Sequence, residues 1–180
     1  LTQMVQELLQ LSRIESGRLQ LEIGPVMPEE IVSEAVQAFE QEISAKSQEL
    51  EVIIESDLPT VPGDRERLIQ VLTNLVSNAN KYTPEQGQIT LKVETQANRG
   101  QTSVRWSVRD TGIGMTEEER RQLFTKYFRS QRDAVRSVPG TGLGLVITQS
   151  IIEMHGGEMH VESELNQGST FSFTVPISPE

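Results

Sequence analysis

Asn74, Asn78 and Lys81 are spaced four and three residues apart, which puts two amides and an ammonium on one face of any helix that carries them. Leu72, Leu75 and Val76 fall on a different face, so such a helix would bury one side and present the asparagines on another. Asparagine is a mediocre helix former, and stacking two of them needs some return. An amide oxygen is a hard, neutral ligand suited to Mg²⁺, which keeps several waters and takes its other oxygens from phosphates. The same face also suits an ordinary solvated helix surface.

Two glycine clusters lie downstream. Asp110-Thr111-Gly112-Ile113-Gly114-Met115 follows a strand pattern: a carboxylate at a strand end can accept from an amine, and the glycines let backbone approach a flat ligand. A plain turn fits those residues as well. Gly140-Thr141-Gly142-Leu143-Gly144-Leu145 opens a helix pattern, where unpaired amides behind glycines make an anion site suited to phosphates. Neither cluster is a dinucleotide fingerprint, because Glu117 and Leu145 occupy the last position of G-x-G-x-x-G, and no G-x-x-x-x-G-K-[ST] occurs. Between them, Leu123-Phe124-Thr125-Lys126-Tyr127-Phe128-Arg129 joins aromatics to a basic stretch containing Lys126, Arg129, Arg132 and Arg136 against Asp133 alone. Phe124 and Tyr127 read as core. Arg129 is the residue placed to stabilise charge on a transferring phosphate.

The elements that must hold these groups follow from periodicity. Leu1, Met4, Leu8 and Leu11 mark a helical seam that fades near Gly17. Leu19, Leu21 and Ile23 alternate as a strand would, and Pro28 is placed to open a helix through Ile31, Ala35, Phe39 and Ile43. A strand is expected at 50–55, then a turn at Pro59 and Pro62, then a helix capped by Asp64. Strands at 88–95 and 102–109 flank a turn at Asn98-Arg99-Gly100. Thr116 with Glu119 forms a capping box, an irregular stretch leads to Gly140, and a helix runs from about 142 to 154. Strands at 158–164 and 169–175 close the chain. The expected fold is an α/β two-layer sandwich, a mixed and mainly antiparallel sheet with helices on one face, preceded by a partial bundle helix.

Composition narrows the function classes. The 180 residues suit one domain, and a formal charge of −10 argues against nucleic acid as a partner. No apolar run approaches the roughly 18 residues that span a membrane, so no membrane contact is expected of this chain. The absence of cysteine excludes a disulfide framework and thiolate chemistry.

In this order, the four clusters resemble the N, G1, F and G2 boxes of the sensor histidine kinases. The flanks are similar too: Leu8-Leu9-Gln10-Leu11-Ser12-Arg13 resembles the end of the family's second dimerisation helix, and His155-Gly156-Gly157 and Gly168-Ser169-Thr170-Phe171 its last helix and closing hairpin. The resemblance implies a division into 1–17, the end of a dimerisation helix, and 18–180, a catalytic ATP-binding domain of a two-component kinase. It implies ATP and Mg²⁺ as cofactors, with Asn78 on the metal, Asn74 positioning phosphate or water, Lys81 on phosphate and Tyr82 beside the nucleotide. Asp110 would accept the adenine amine in a pocket shaped by Gly112, Ile113 and Gly114. Residues 129–139 would be a mobile lid and Gly140, Thr141, Gly142, Leu143, Gly144 and Leu145 its hinge and phosphate cradle. Thr125 stands where the family often has glutamate, and Tyr127-Phe128 inverts a common order.

Neither His155 nor His160 is followed by the acidic residue that marks the family's acceptor histidine. Because the chain opens at Leu1, it is expected to be a cytoplasmic piece of a longer, homodimeric parent that carries the acceptor. Its expected partners are the parent's dimerisation and histidine-phosphotransfer domain and the receiver domain of a response regulator. The rival readings are an ATP hydrolase of the same superfamily, which would place a glutamate base where Asn74 stands, and a non-catalytic nucleotide-binding module.

Overall fold

In the computed structural model, residues 1–178 are described, so the last two residues of the expected 18–180 division lie outside the described residues. The chain begins with helix α1 (Thr2–Glu15), a short strand β1 (Gly24–Val26) and helix α2 (Pro28–Ala45), which has its proline in the first turn as expected. Strand β2 (Glu49–Ile54), the short β3 (Val61–Gly63) and helix α3 (Arg65–Tyr82) follow, then the long hairpin of β4 (Gln88–Asn98) and β5 (Gln101–Asp110). Two short helices, α4 (Glu117–Gln122) and α5 (Asp133–Arg136), precede α6 (Gly144–Met154) and the closing hairpin of β6 (Met159–Glu164) and β7 (Gly168–Pro176).

The main sheet has five strands in the order β2-β4-β5-β7-β6, with only the β2–β4 pair parallel. Leu91, Trp106, Val108 and Phe173 point from the sheet into one core with Ile31 and Ala35 of α2, Leu68 and Leu72 of α3, and Ile147 and Ile151 of α6. Trp106 and Phe173 face each other across the β5–β7 ladder and stack at 5.0 Å. The Trp106 indole also donates to the Pro28 carbonyl at 3.4 Å, tying the sheet to the start of α2. Alternate positions such as Lys92 and Arg105 take the other side of the sheet. The expected two-layer sandwich is therefore the observed one.

Two stretches differ from their sequence patterns. Leu19, Leu21 and Ile23 alternate but form no strand; Leu19 and Leu21 are half-buried and Ile23 is exposed, with no neighbour to pair. The pairing begins one residue later. Gly24–Val26 forms a two-stranded antiparallel ribbon with Val61–Gly63, the stretch expected to be only a turn, in the register Pro25↔Pro62. Proline lacks a backbone donor, which hides so short a ribbon from pattern reading.

The first helix lies against the body. Leu11 of α1 is buried in the common core, and Gln10 exchanges two amide hydrogen bonds with Gln70 of α3, at 3.0 and 2.8 Å. The rest of its apolar stripe, Leu1, Met4, Val5, Leu8 and Leu9, is exposed. Among the described residues no helix is long and apolar enough to cross a membrane.

Candidate functional site

The polar face of α3 is held at both ends. Asp64 caps its start, accepting from the Arg67 amide at 3.1 Å. Its last turn leaves carbonyls without helical donors, and side chains from the α2–β2 turn supply them. The Lys46 ammonium donates to the carbonyls of Asn80 and Thr83 at 2.6 and 2.8 Å, and the Gln48 amide donates to Thr83 at 2.8 Å. Asn80, buried, returns a bond to Gln48 at 2.8 Å. Sequence reasoning missed Lys46, Gln48 and Asn80. The one available signal was an asparagine at position 80, away from the Asn74–Asn78 face.

That fastening fixes the side chains upstream of it. Asn74 donates its amide to Thr148 on α6 at 2.8 Å, and a side chain at Gly144 would approach the Asn74 oxygen to 3.0 Å. Glycine at the head of α6 thus lets α6 close onto α3. Asn78, Lys81 and Tyr82 line the same cavity as Asn74. Burial pushes the Tyr82 phenol above its ordinary value, opposed by the nearby Arg129 charge.

Asp110 reaches the cavity through strand alternation. Val104, Trp106 and Val108 face the helices, so Asp110 at the end of β5 faces them too. Only 6 % exposed, its carboxyl is pushed up by burial, while hydrogen bonds from the Gly112 and Ser169 backbone amides pull it down. The Gly112 bond is 2.8 Å. A side chain at Gly112 would meet the Tyr82 carbonyl at 2.4 Å, and Gly114 has φ +58 with the Glu164 carbonyl against it. Gly112 therefore shapes the pocket by close packing rather than by lining it, whereas Ile113 and Gly114 do line it.

The second glycine cluster closes the other side. Gly140, Thr141, Gly142, Gly144 and Leu145 line the cavity; Leu143 does not, being fully buried in the core. Gly142 has φ +75 with the Tyr127 backbone packed on it, so α6 begins at Gly144 rather than at 142. The Leu143 amide bonds the Thr141 hydroxyl at 3.2 Å.

Between the clusters, the segment 129–139, expected to be a lid, carries order that the pattern did not show, and Tyr127 before it, expected in the core, is exposed. Arg129 turns its guanidinium inward onto the lid's own carbonyls, Val135 at 3.1 Å and Val138, which holds α5 in place. Its Nε is buried without a partner. Arg132 spans two elements, donating to Glu119 of α4 at 2.8 Å and to the Gly114 carbonyl at 2.7 Å. Burial opposes the Glu119 charge, but bonds from Arg132, Ser130 and the Thr116 amide hold its carboxyl below the usual range. The expected Thr116–Glu119 capping box is formed in full.

The cavity enclosed by these groups measures about 170 Å³ and is lined by two chemically distinct sets of groups. Asp110, Ile113 and Phe171 contribute an acceptor among apolar walls. Asn74, Asn78, Lys81 and the Gly140–Gly144 loop contribute amides and an ammonium. Gln3 and Glu7 of α1 complete the wall, a contribution no local pattern indicated. Among the described residues no group of three or more histidine, cysteine or acidic side chains could hold a metal ion. An apolar slot with one acceptor, joined to an anion cradle, is the site of a nucleotide-binding protein.

Residues 63–179 match the family model described as histidine kinase-, DNA gyrase B- and HSP90-like ATPase. The chain is 36 % identical to the adaptive-response sensory kinase SasA of Gloeothece citriformis over 177 residues, covering 98 % of this chain and 44 % of that protein. Among solved structures, full-length ShkA in complex with AMPPNP aligns with a TM-score of 0.82 at 30 % identity, over 99 % of this chain and 36 % of that one. Histidine kinase ThkA in complex with response regulator protein TrrA aligns at 0.74 and 28 % identity, over 99 % of this chain and 49 % of that one. The chain belongs to the histidine kinase-, DNA gyrase B- and HSP90-like ATPase family, as an ATP-binding domain of the histidine-kinase type. It spans less than half the length of these relatives.

Proposed function

We propose that this domain binds Mg-ATP and donates the γ-phosphoryl group to a histidine carried by its parent's dimerisation domain, for relay to a response regulator receiver. The observation that carries the reading is the convergence of the Asn74-Asn78-Lys81 face, Asp110 and the Gly140–Gly144 loop on one cavity. The adenine amine would donate to Asp110, and the phosphates would lie between Lys81 and the amides at the head of α6. Asn78 would offer its amide oxygen to Mg²⁺, whose remaining ligands come from phosphates and water; that cation would offset charge on the transferring group. The division at residue 17, the homodimeric parent and a cytoplasmic setting belong to the same proposal.

The acceptor comes from outside this chain. His155 is half-buried, with Nε2 accepting from the Asp64 amide at 2.9 Å and Nδ1 on the Ile151 carbonyl at 2.7 Å. His160 is exposed on β6 beside Glu158 and does not line the cavity. Hydrolysis is the weaker reading, because the α3 face in the cavity carries Asn74 where a water-activating carboxylate would be needed.

The test uses radiolabelled ATP with the chain alone, with the parent's dimerisation domain, and with that domain's histidine changed to glutamine. Label is expected only with the intact acceptor, and slowly, since the two halves are not linked. Asn78→Ala should nearly abolish transfer and leave nucleotide affinity insensitive to Mg²⁺. Label on the chain alone that is lost on changing His155 or His160 would refute the donor reading.

A further inference from the structure

The cavity proposed to take the nucleotide already has a carboxylate on its wall. Glu7, on the second turn of α1, accepts a hydrogen bond from the Thr141 hydroxyl, inside the loop whose amides head α6. Glu7 and Gln3 line the same cavity as Asn74, Asn78 and Lys81. The docked helix thus brings an anion to the place where the site is built for one.

The attachment of α1 suits a reversible contact. One residue of the helix, Leu11, is buried. Ile14 is half-buried against the same core, and the remaining ties are polar: Gln10 with Gln70, Glu15 with Lys126, and Glu7 with Thr141. The connection at 16–23 forms no strand, so α1 can leave without opening the sheet. Two of these ties, Lys126 and Thr141, lie on either side of the lid.

A triphosphate seated beside the Gly140–Gly144 loop would bring several negative charges close to the Glu7 carboxylate. Like charges at short range repel in a partly solvated site. We infer that Glu7 is a built-in competitor for the phosphates: docking of α1 through Glu7 and binding of the nucleotide's phosphates are antagonistic. The inference rests on the nucleotide reading of the cavity. By linkage, triphosphate must loosen α1 by the same factor by which docked α1 weakens triphosphate. The contact would deter nucleotide while α1 is docked and would release α1 once nucleotide is bound.

Calorimetry on wild type and Glu7→Gln, each with an unhydrolysable ATP analogue plus Mg²⁺ and with adenosine, tests this. The amide keeps the length of the side chain and an acceptor for Thr141 but removes the charge. Affinity for the analogue is expected to rise about five- to tenfold in Glu7→Gln, with adenosine affinity unchanged. In wild type, hydrogen exchange over residues 5–11 should accelerate with the analogue and not with adenosine. Equal analogue affinity in the two proteins, or exchange in α1 that ignores the analogue, would overturn the antagonism. Weaker binding by Glu7→Gln with a flattened Mg²⁺ dependence would overturn it too, making Glu7 a cation ligand. Failure of wild type to bind either ligand would instead remove the nucleotide reading, and the inference with it.

Discussion

The amide nitrogen of Asn74 and the hydroxyl of Thr148 meet at 2.8 Å, joining α3 to α6 at the edge of the cavity. Thr148 is buried, and Asn74 is half-buried on the cavity wall. Their bond sets the distance between the α3 polar face and the amides at the head of α6. Thr148→Val keeps the shape and orphans the Asn74 donor, which should cost about 1–3 kcal/mol in urea unfolding. Thr148→Ser should recover most of that loss. Equal midpoints for wild type and the valine variant would show that the bond does not constrain the helices.

Asp110 combines burial with a charge that the proposed base recognition requires. Its folded pKa is raised, so the folded state binds the proton more tightly than the unfolded chain. Its contribution to stability is therefore lost as pH rises through the raised value, and at neutral pH the carboxylate is a cost. Asp110→Asn should raise Tm, at roughly 2–4 °C per kcal/mol recovered, while weakening nucleotide about tenfold through loss of a charge-assisted bond. Thermal melts and calorimetry on the same two proteins check both halves.

The lid should respond to the γ-phosphate. Arg129 now donates to lid carbonyls with its Nε unpartnered, and a phosphate would offer a stronger acceptor. Exchange over residues 129–140 is expected to slow with an unhydrolysable ATP analogue and less with ADP. Identical protection in the two complexes would count against a γ-phosphate sensor.

His155 should make stability sensitive to mild acid. Burial lowers its folded pKa, partly offset by the Ile151 carbonyl and the Asp64 charge. In the neutral ring Nε2 accepts from the Asp64 amide at the head of α3, and protonation would destroy that acceptor. Its contribution is complete above the ordinary histidine pKa of about 6.5 and falls as pH drops below it toward the lowered value. Urea midpoints between pH 7 and 5 should decline more steeply for wild type than for His155→Phe, by at most about 1.4 kcal/mol per pH unit. Parallel slopes would show that the ring does not titrate in this range.

Much of this protein could be read from residue types and spacing, because the signals are local. Helical spacing placed Asn74, Asn78 and Lys81 together, and strand alternation carried through to Asp110. Asp64, Thr116 and Glu119 announced two helix starts within three residues of each cap. What only the tertiary structure decided are contacts between residues far apart in the chain. Lys46 and Gln48 close the end of α3, Thr148 holds Asn74, and Arg132 bridges Glu119 to Gly114. Glu7 stands in the cavity although 134 residues separate it from Thr141. The Gly112 and Leu143 positions show the same limit: their motifs mark a site, but packing decides that one supports the pocket and the other belongs to the core. Periodicity reports which side of an element is apolar, whereas the partner of a polar side chain is fixed only when the elements close on one another.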